Sequence, residues 1–282
     1  MGRIRRTFEL AKSSWRVLQH DRELLVLPVL SFVVSAMVLV PLLVVAFAYT
    51  DGTTTNAAGE ESADPAMIAI FVVAALAINV VSVFFNGALV AGAHQRFTGG
   101  DPTIGSALSK AARHLPGLVG WALLTATVGL ILQALRERAG FLARFVIGLV
   151  GAAWDVATFL VVPAVIIDDN GAIEGLKRSA SLLRQTWGEN IAARVGFGLL
   201  GLVLVIPGVV LGGLAVAVGG PVLIAGILVA VGWIALVVVV ITALSAIFQT
   251  ALYMYATTGS MPTGFETTDL RQTFGPREAV NS

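Results

Sequence analysis

PVLIAGILVAVGWIALVVVVITALSAIFQTALYMY, residues 221–255, is apolar without interruption. A helix that crosses a bilayer needs about 20 predominantly apolar residues, because the hydrocarbon core is roughly 30 Å thick and each residue rises about 1.5 Å. This run exceeds one bilayer thickness and predicts a helix that projects beyond the membrane. Five further stretches meet the same test or nearly do: residues 24–49, 66–91, 117–135, 141–167 and 191–218. The run at 117–135 is short and glycine-rich, and 191–218 contains Pro207-Gly208, where a kink is expected. Continuous apolarity excludes a membrane barrel, whose strands must alternate. The predicted fold class is all-α: a polytopic membrane protein with six transmembrane helices in three hairpins.

Composition agrees. Only 12% of the 282 residues are charged and 57% are hydrophobic, against roughly 25% charged in soluble domains. A cytosolic enzyme, a nucleic-acid binder and a disordered chain are all excluded by that scarcity. The net charge of +1 says nothing of a polyanionic partner, and nucleic acid is not expected as one. The absence of cysteine removes disulfides, thiol catalysis and thiolate metal sites, and three scattered histidines are too few for a metal cluster. No cofactor, metal or catalytic residue is expected. More than twenty residues of charged, structured-looking sequence precede the first run, which reads as a retained span and not a cleaved signal peptide.

The basic residues sort by loop, which sets orientation. Arg3, Arg5, Arg6, Lys12, Arg16 and Arg22 precede the first span. The next connection has no Lys or Arg but holds Asp51, Glu60, Glu61 and Asp64. Arg96, Lys110 and Arg113 follow the second span, and Lys177, Arg178 and Arg184 follow the fourth. Both termini are therefore expected in the cytoplasm, with the chain in the cell membrane. Arg136, Arg138 and Arg144 disagree, since they fall outside. Either they pair with Glu137 and lipid phosphates, or the third and fourth helices form a tight hairpin that does not fully span.

Three short segments repeat one device. Ile4, Phe8, Ala11, Trp15 and Leu18 recur at helical spacing beside Arg5, Arg6, Lys12 and Arg16. Ile104, Ala107, Ala111 and Leu115 do so beside Lys110 and Arg113, and Ile173, Leu176, Ala180, Leu183 and Trp187 beside Lys177, Arg178 and Arg184. Each reads as an amphipathic helix in the headgroup plane, introducing one hairpin and contacting anionic lipid through its basic residues. Asp101-Pro102 and Asp169-Asn170-Gly171 are the expected caps. The expected organisation is one integral membrane domain over residues 1–258, in units of about 1–98, 99–168 and 169–258, with a flexible cytoplasmic tail at 259–282.

The stretch Ser14-Trp15-Arg16-Val17-Leu18, then Asp21 and Glu23-Leu24-Leu25 leading to Pro28, resembles the opening of an uncharacterised family of prokaryotic six-helix integral membrane proteins. Leu176-Lys177-Arg178-Ser179-Ala180, Leu182-Leu183-Arg184 and Thr186-Trp187-Gly188-Glu189 resemble it most specifically, and Trp154, Thr158-Phe159 and Val162-Pro163 also fit. The resemblance covers nearly the whole chain. More distantly, the architecture is similar to the membrane domain fused to some bacterial glycerophosphodiester phosphodiesterases, whose catalytic domain has no counterpart in this sequence. The family is a domain of unknown function, so the resemblance implies no activity and no catalytic residue. Fifteen of eighteen basic residues are Arg, the bias of a GC-rich prokaryote.

Polar residues within the runs are the functional pointers. Asp155 sits near the middle of the fourth, with Thr158 one turn away; Asn79, Ser82 and Asn86 follow one face of the second; Thr242, Ser245 and Gln249 repeat that spacing in the sixth. If these stripes converge they line a polar seam open to the cytoplasm, with Asp155 its charged anchor. The other reading is interhelical hydrogen bonding worth about 0.6 kcal/mol per contact. For Asp155 both stay open. Gly196-Phe197-Gly198-Leu199-Leu200-Gly201 matches a dinucleotide pattern literally, but no strand precedes it; like Gly208 and Gly212 it reads as close helix contact. Asp168-Asp169-Asn170-Gly171 with Glu174 is too short for a calcium loop and reads as a cap. The leading functional expectation is a non-catalytic protein for membrane organisation or for lipid or partner-protein association. The alternative is a small-solute, lipid or proton-coupled carrier using the Asp155 seam. A lone Asp without a nucleophile or base is not a catalytic site.

Overall fold

The computed structural model describes residues 14, 22–49, 53–55, 61–187, 197–218, 220–260 and 262. A 3-10 turn, Arg22–Leu25, leads into α1 (Val26–Tyr49). Helices α2 (Pro65–Phe97), α3 (Ile104–Arg113), α4 (Leu115–Glu137), α5 (Phe141–Ala157), α6 (Val161–Ile167), α7 (Ala172–Trp187), α8 (Phe197–Val218) and α9 (Gly220–Thr258) follow. Six stretches are long and apolar enough to cross a membrane: Glu23–Tyr49, Pro65–Phe97, Leu115–Glu137, Leu142–Ile167, Gly201–Val218 and Leu223–Thr258. The chain is an all-α, multi-pass membrane protein. One small departure lies between α1 and α2, where β1 (Thr53–Thr55) pairs antiparallel with β2 (Glu61–Ala63). A run of three β-branched threonines favours extended backbone there. Of the first expected amphipathic helix only Ser14 belongs to the described residues; Arg5, Arg6, Lys12 and Arg16 lie outside them.

Helix starts follow local chemistry. The Asp64 carboxylate accepts from Ala66 N at 2.8 Å, with Pro65 in the first turn of α2. The cap of α3 is Thr103 and not Asp101: Ser106 N donates to Thr103 Oγ1 and Thr103 N to Ser106 Oγ, both at 3.1 Å. Asp101 instead pairs with Arg96 at 2.9 Å. Arg144, in the basic loop that disagrees with the charge rule, has a local partner. Its Nε donates to the carbonyls of Ala139 (2.9 Å) and Arg136 (3.3 Å), capping the end of α4. Glu137 accepts from Gln133, and α4 is long enough to span.

Helix α2 is the hub, packed against α1, α3, α4, α6 and α9. Every residue of its stretch 87–93 is buried. Small side chains make that possible. A methyl added at Gly92 would meet Leu24 Cδ2 at 2.5 Å, and one at Gly87 would meet Leu118 at 3.0 Å and Ile166 at 3.3 Å. The buried core lies in this half of the bundle, with Leu27, Phe85, Leu89, Leu160, Ile247 and Tyr253. In the other half large apolar side chains face outward: Met37 is 70% exposed, Leu142 79% and Leu228 67%. Such a surface is stable against hydrocarbon and not against water.

The fourth span is not one helix. It breaks between α5 and α6, four residues before Pro163, whose missing N–H leaves the carbonyl of Phe159 without its helical donor. Ser179 of α7, fully buried, bonds two neighbouring backbone groups of the break. Its Oγ accepts from Leu160 N at 3.1 Å and donates to Ala157 O at 2.7 Å. Helix α8 continues through Pro207. Trp233 Nε1 of α9 donates to Leu204 O at 2.9 Å, and Gly208 lets the two helices close, since a methyl there would meet Ile234 at 2.8 Å. Ser179→Ala leaves two buried backbone groups unpaired and is expected to destabilise the chain by about 1–3 kcal/mol. Thermal unfolding in detergent reads this; an unchanged midpoint would show that water repairs the break.

Candidate functional site

Three of the predicted intramembrane polar residues share one hollow. Ser82 and Asn86 of α2 and Thr242 of α9 line a pocket of about 390 Å³, opposite Ser31 and Ser35 of α1. Its remaining walls are apolar, with Phe32, Leu39, Ile78, Phe85, Leu89 and Val238 among them. The pocket forms because α1 and α9 both lie against α2 and each presents small hydroxyl side chains there. Asn86 Oδ1 is buried and has no hydrogen-bond partner among the described residues. Ser31 and Ser35 escaped the sequence reading because they interrupt a run otherwise read only as apolar; their spacing of four was the available signal.

The seam expected around Asp155 does not form. Asp155 is exposed on α5, a helix packed against α4 and α7, while the pocket is walled by α1, α2 and α9. Thr158 donates back to Trp154 O at 2.8 Å, closing the end of α5. Asn79 donates to Ala122 O (2.8 Å) and Thr125 Oγ1 (3.2 Å) and ties α2 to α4. Neither Ser245 nor Gln249 lines this pocket, and Gln249 Oε1 is buried without a partner among the described residues. The convergence failed because helical spacing fixes a face of one helix but not which neighbour meets it. Trp121 and Trp154, stacked with centroids 6.2 Å apart, join α4 to α5 instead.

A second polar region lies where α3 and α7 meet the ends of the spans. The residues read as a turn and cap there bridge helices. Tyr253 OH of α9 donates to Asp168 Oδ2 at 2.5 Å, and Arg178 Nε of α7 lies 3.4 Å from the same oxygen. Contact with Tyr253 foremost, and then the charge of Asp168, raises the Arg178 pKa and holds the guanidinium charged. Asp169, at a left-handed φ of 55°, reaches His114 Nε2, while His114 Nδ1 meets Lys110 O at 2.7 Å. The bond to His114 holds the Asp169 carboxyl below its usual range. The carboxylate's part in this contact is lost as pH falls through that lowered value. Asn170 Nδ2 donates to Ala164 O at 3.3 Å and closes α6.

Between these elements opens a cleft of about 850 Å³ lined by Gln95, Ser106, Lys110, Arg113, His114 and Asp169. Lys110 and Arg113 were singled out by sequence, and the fold brings them to one rim. Lys177 and Arg184 are exposed on α7. Arg178, also exposed, in addition contacts Asp168 within the protein. No cluster of metal-ligating side chains occurs among the described residues.

A family profile matches residues 65–265, from the first residue of α2 past the end of α9. The chain belongs to DUF6159, a family of unknown function. The matched segment holds five of the six candidate spans, both polar regions at α3 and α7, and the Leu176–Glu189 signature; α1 with Ser31 and Ser35 precedes it. No curated protein and no solved structure matches the chain.

Two substitutions separate these sites. Tyr253→Phe removes one bond to a carboxylate and is expected to cost about 1.5 kcal/mol, the low end for a charged acceptor since Asp168 is partly exposed. Asp155→Leu removes a carboxylate that makes no bond among the described residues. It is expected to leave the unfolding midpoint in detergent unchanged or raised; a lowered midpoint would reveal a partner for Asp155.

Proposed function

We propose that this DUF6159 chain is a non-catalytic cell-membrane protein, with both termini cytoplasmic, that associates with anionic lipid at its α3–α7 end. The observation that carries the reading is the cleft at that end, where Lys110 and Arg113 stand together beside the half-buried His114. In support, the cleft lies beside the end of α2 and the start of α4, where their apolar runs give way to polar residues as they do at lipid headgroups. Helix α3 supports this placement: it buries Ala107 and Ala111 and leaves Ser109, Ala112 and Arg113 exposed. Lys177 and Arg184 extend the basic surface along α7. Each Lys or Arg near an anionic surface contributes about 1 kcal/mol, so four act together as a useful anchor.

The carrier reading loses its anchor, since Asp155 stands apart from the pocket. Organisation of membrane components, with lipid as the recognised partner, fits the two polar regions better.

The test replaces Lys110, Arg113, Lys177 and Arg184 with Gln and spares Arg178, which ties α7 to Asp168. Native mass spectrometry of the purified protein with phosphatidylglycerol and with phosphatidylcholine then counts retained lipid. Retention of phosphatidylglycerol is expected to fall at least about tenfold, with phosphatidylcholine unaffected. Equal loss of both lipids, or none, would overturn the reading.

A further inference from the structure

The pocket between α1, α2 and α9 has a chemistry that helix pairing does not use. Several threonine hydroxyls elsewhere in the spans bond to the carbonyl one turn back: Thr125 to Trp121, Thr158 to Trp154, Thr250 to Ala246. Ser31, Ser35, Ser82 and Thr242 do not, and among the described residues the side chains of these four and of Asn86 make no hydrogen bond. Five unpaired polar groups around one hollow at membrane depth are costly in hydrocarbon unless something in the hollow bonds to them.

Depth narrows what that is. Counting about 1.5 Å per residue from Glu23, His94 and Tyr255, the polar side chains nearest the end of the apolar layer, the five groups lie about 12–20 Å into the layer. The hydrocarbon centre is roughly 15 Å in. Headgroups and ester carbonyls of ordinary lipids stay nearer the surface. No charged residue or histidine lines the pocket, so an ion has no counter-charge there. Phe32 is 56% and Val238 42% exposed, and Ser82 and Thr242 are exposed too, so the hollow opens sideways into the bilayer.

We propose that this pocket binds an uncharged lipid-phase molecule bearing a hydroxyl or carbonyl oxygen in the middle of an apolar chain. Two or three of these groups bond its oxygen at one time, with Asn86 Oδ1 accepting where that oxygen is a hydroxyl, and Phe85 and Leu89 pack against its chain. The proposal is separate from headgroup binding at the α3–α7 end, because it concerns the hydrocarbon centre.

Photoreactive diazirine probes test it: one stearyl chain hydroxylated at its middle, one with a mid-chain ketone, and one unsubstituted. The full chain in phosphatidylcholine nanodiscs is irradiated with each and the labelled peptides are mapped by mass spectrometry. Either oxygenated probe is expected to label the pocket segments at least about fivefold more than the plain chain, the effect of one net hydrogen bond. Hydroxyl-selective and ketone-selective labelling identify which oxygen is recognised, and both support the proposal. Ser82→Ala with Thr242→Val is expected to abolish the preference. If that variant does not fold, Ser31→Ala with Ser35→Ala serves, because it removes only hydroxyls from α1. Equal labelling by all three probes, a preference that survives the folded variants, or protein–protein crosslinks through these residues would overturn the proposal.

Discussion

Close approach to α2 is the constraint on which the rest of the structure depends. Between residues 87 and 93 the helix offers glycine, alanine, leucine and valine, and each is buried. At Gly92 the Leu24 side chain occupies the space of a Cβ, and at Gly87 Leu118 and Ile166 press in from two other helices. In lipid, where apolar surface gains little by leaving its solvent, such contact is the main force between helices. Once α1, α4, α6 and α9 lie against this stretch, the pocket at Asn86 and the Asp168–Tyr253 tie follow from geometry.

The fold was legible because the bilayer imposes a length. Six apolar runs predicted six spans, and most of their ends lie within a few residues of the candidate spans; the second helix runs on to Phe97, and the expected start of the fifth at 191 lies outside the described residues. The break in the fourth span was less legible. Pro163 signalled it, but Ser179, which bonds two of its backbone groups from α7, stands outside that run in the sequence. Caps followed the same division. Asp64 was readable as a charged residue before a proline, whereas Asp101 lost its expected role to Thr103 because Arg96 draws it away.

The candidate site was legible only in part. Ser82, Asn86 and Thr242 share a pocket as their spacing allowed, yet Asp155 was assigned to them by depth alone. Depth is one coordinate of three; azimuth depends on which helices touch, and that is decided by where small residues permit contact. Arg178 shows the converse. Its exposed position on α7 pointed to lipid, while Tyr253, buried and far along the chain, engages it through Asp168. No local pattern announces a bond between residues so distant in sequence.

The uneven packing of the two halves has a mechanical consequence. Near α3 and α7 the helices are fixed by side chains in direct contact, so their spacing resists change. At the other ends Met37, Leu142 and Leu228 meet acyl chains on most sides. There the α8–α9 pair is the exception, held by Trp233 and by close approach at Gly208, so protein contact secures one hairpin where lipid surrounds the others.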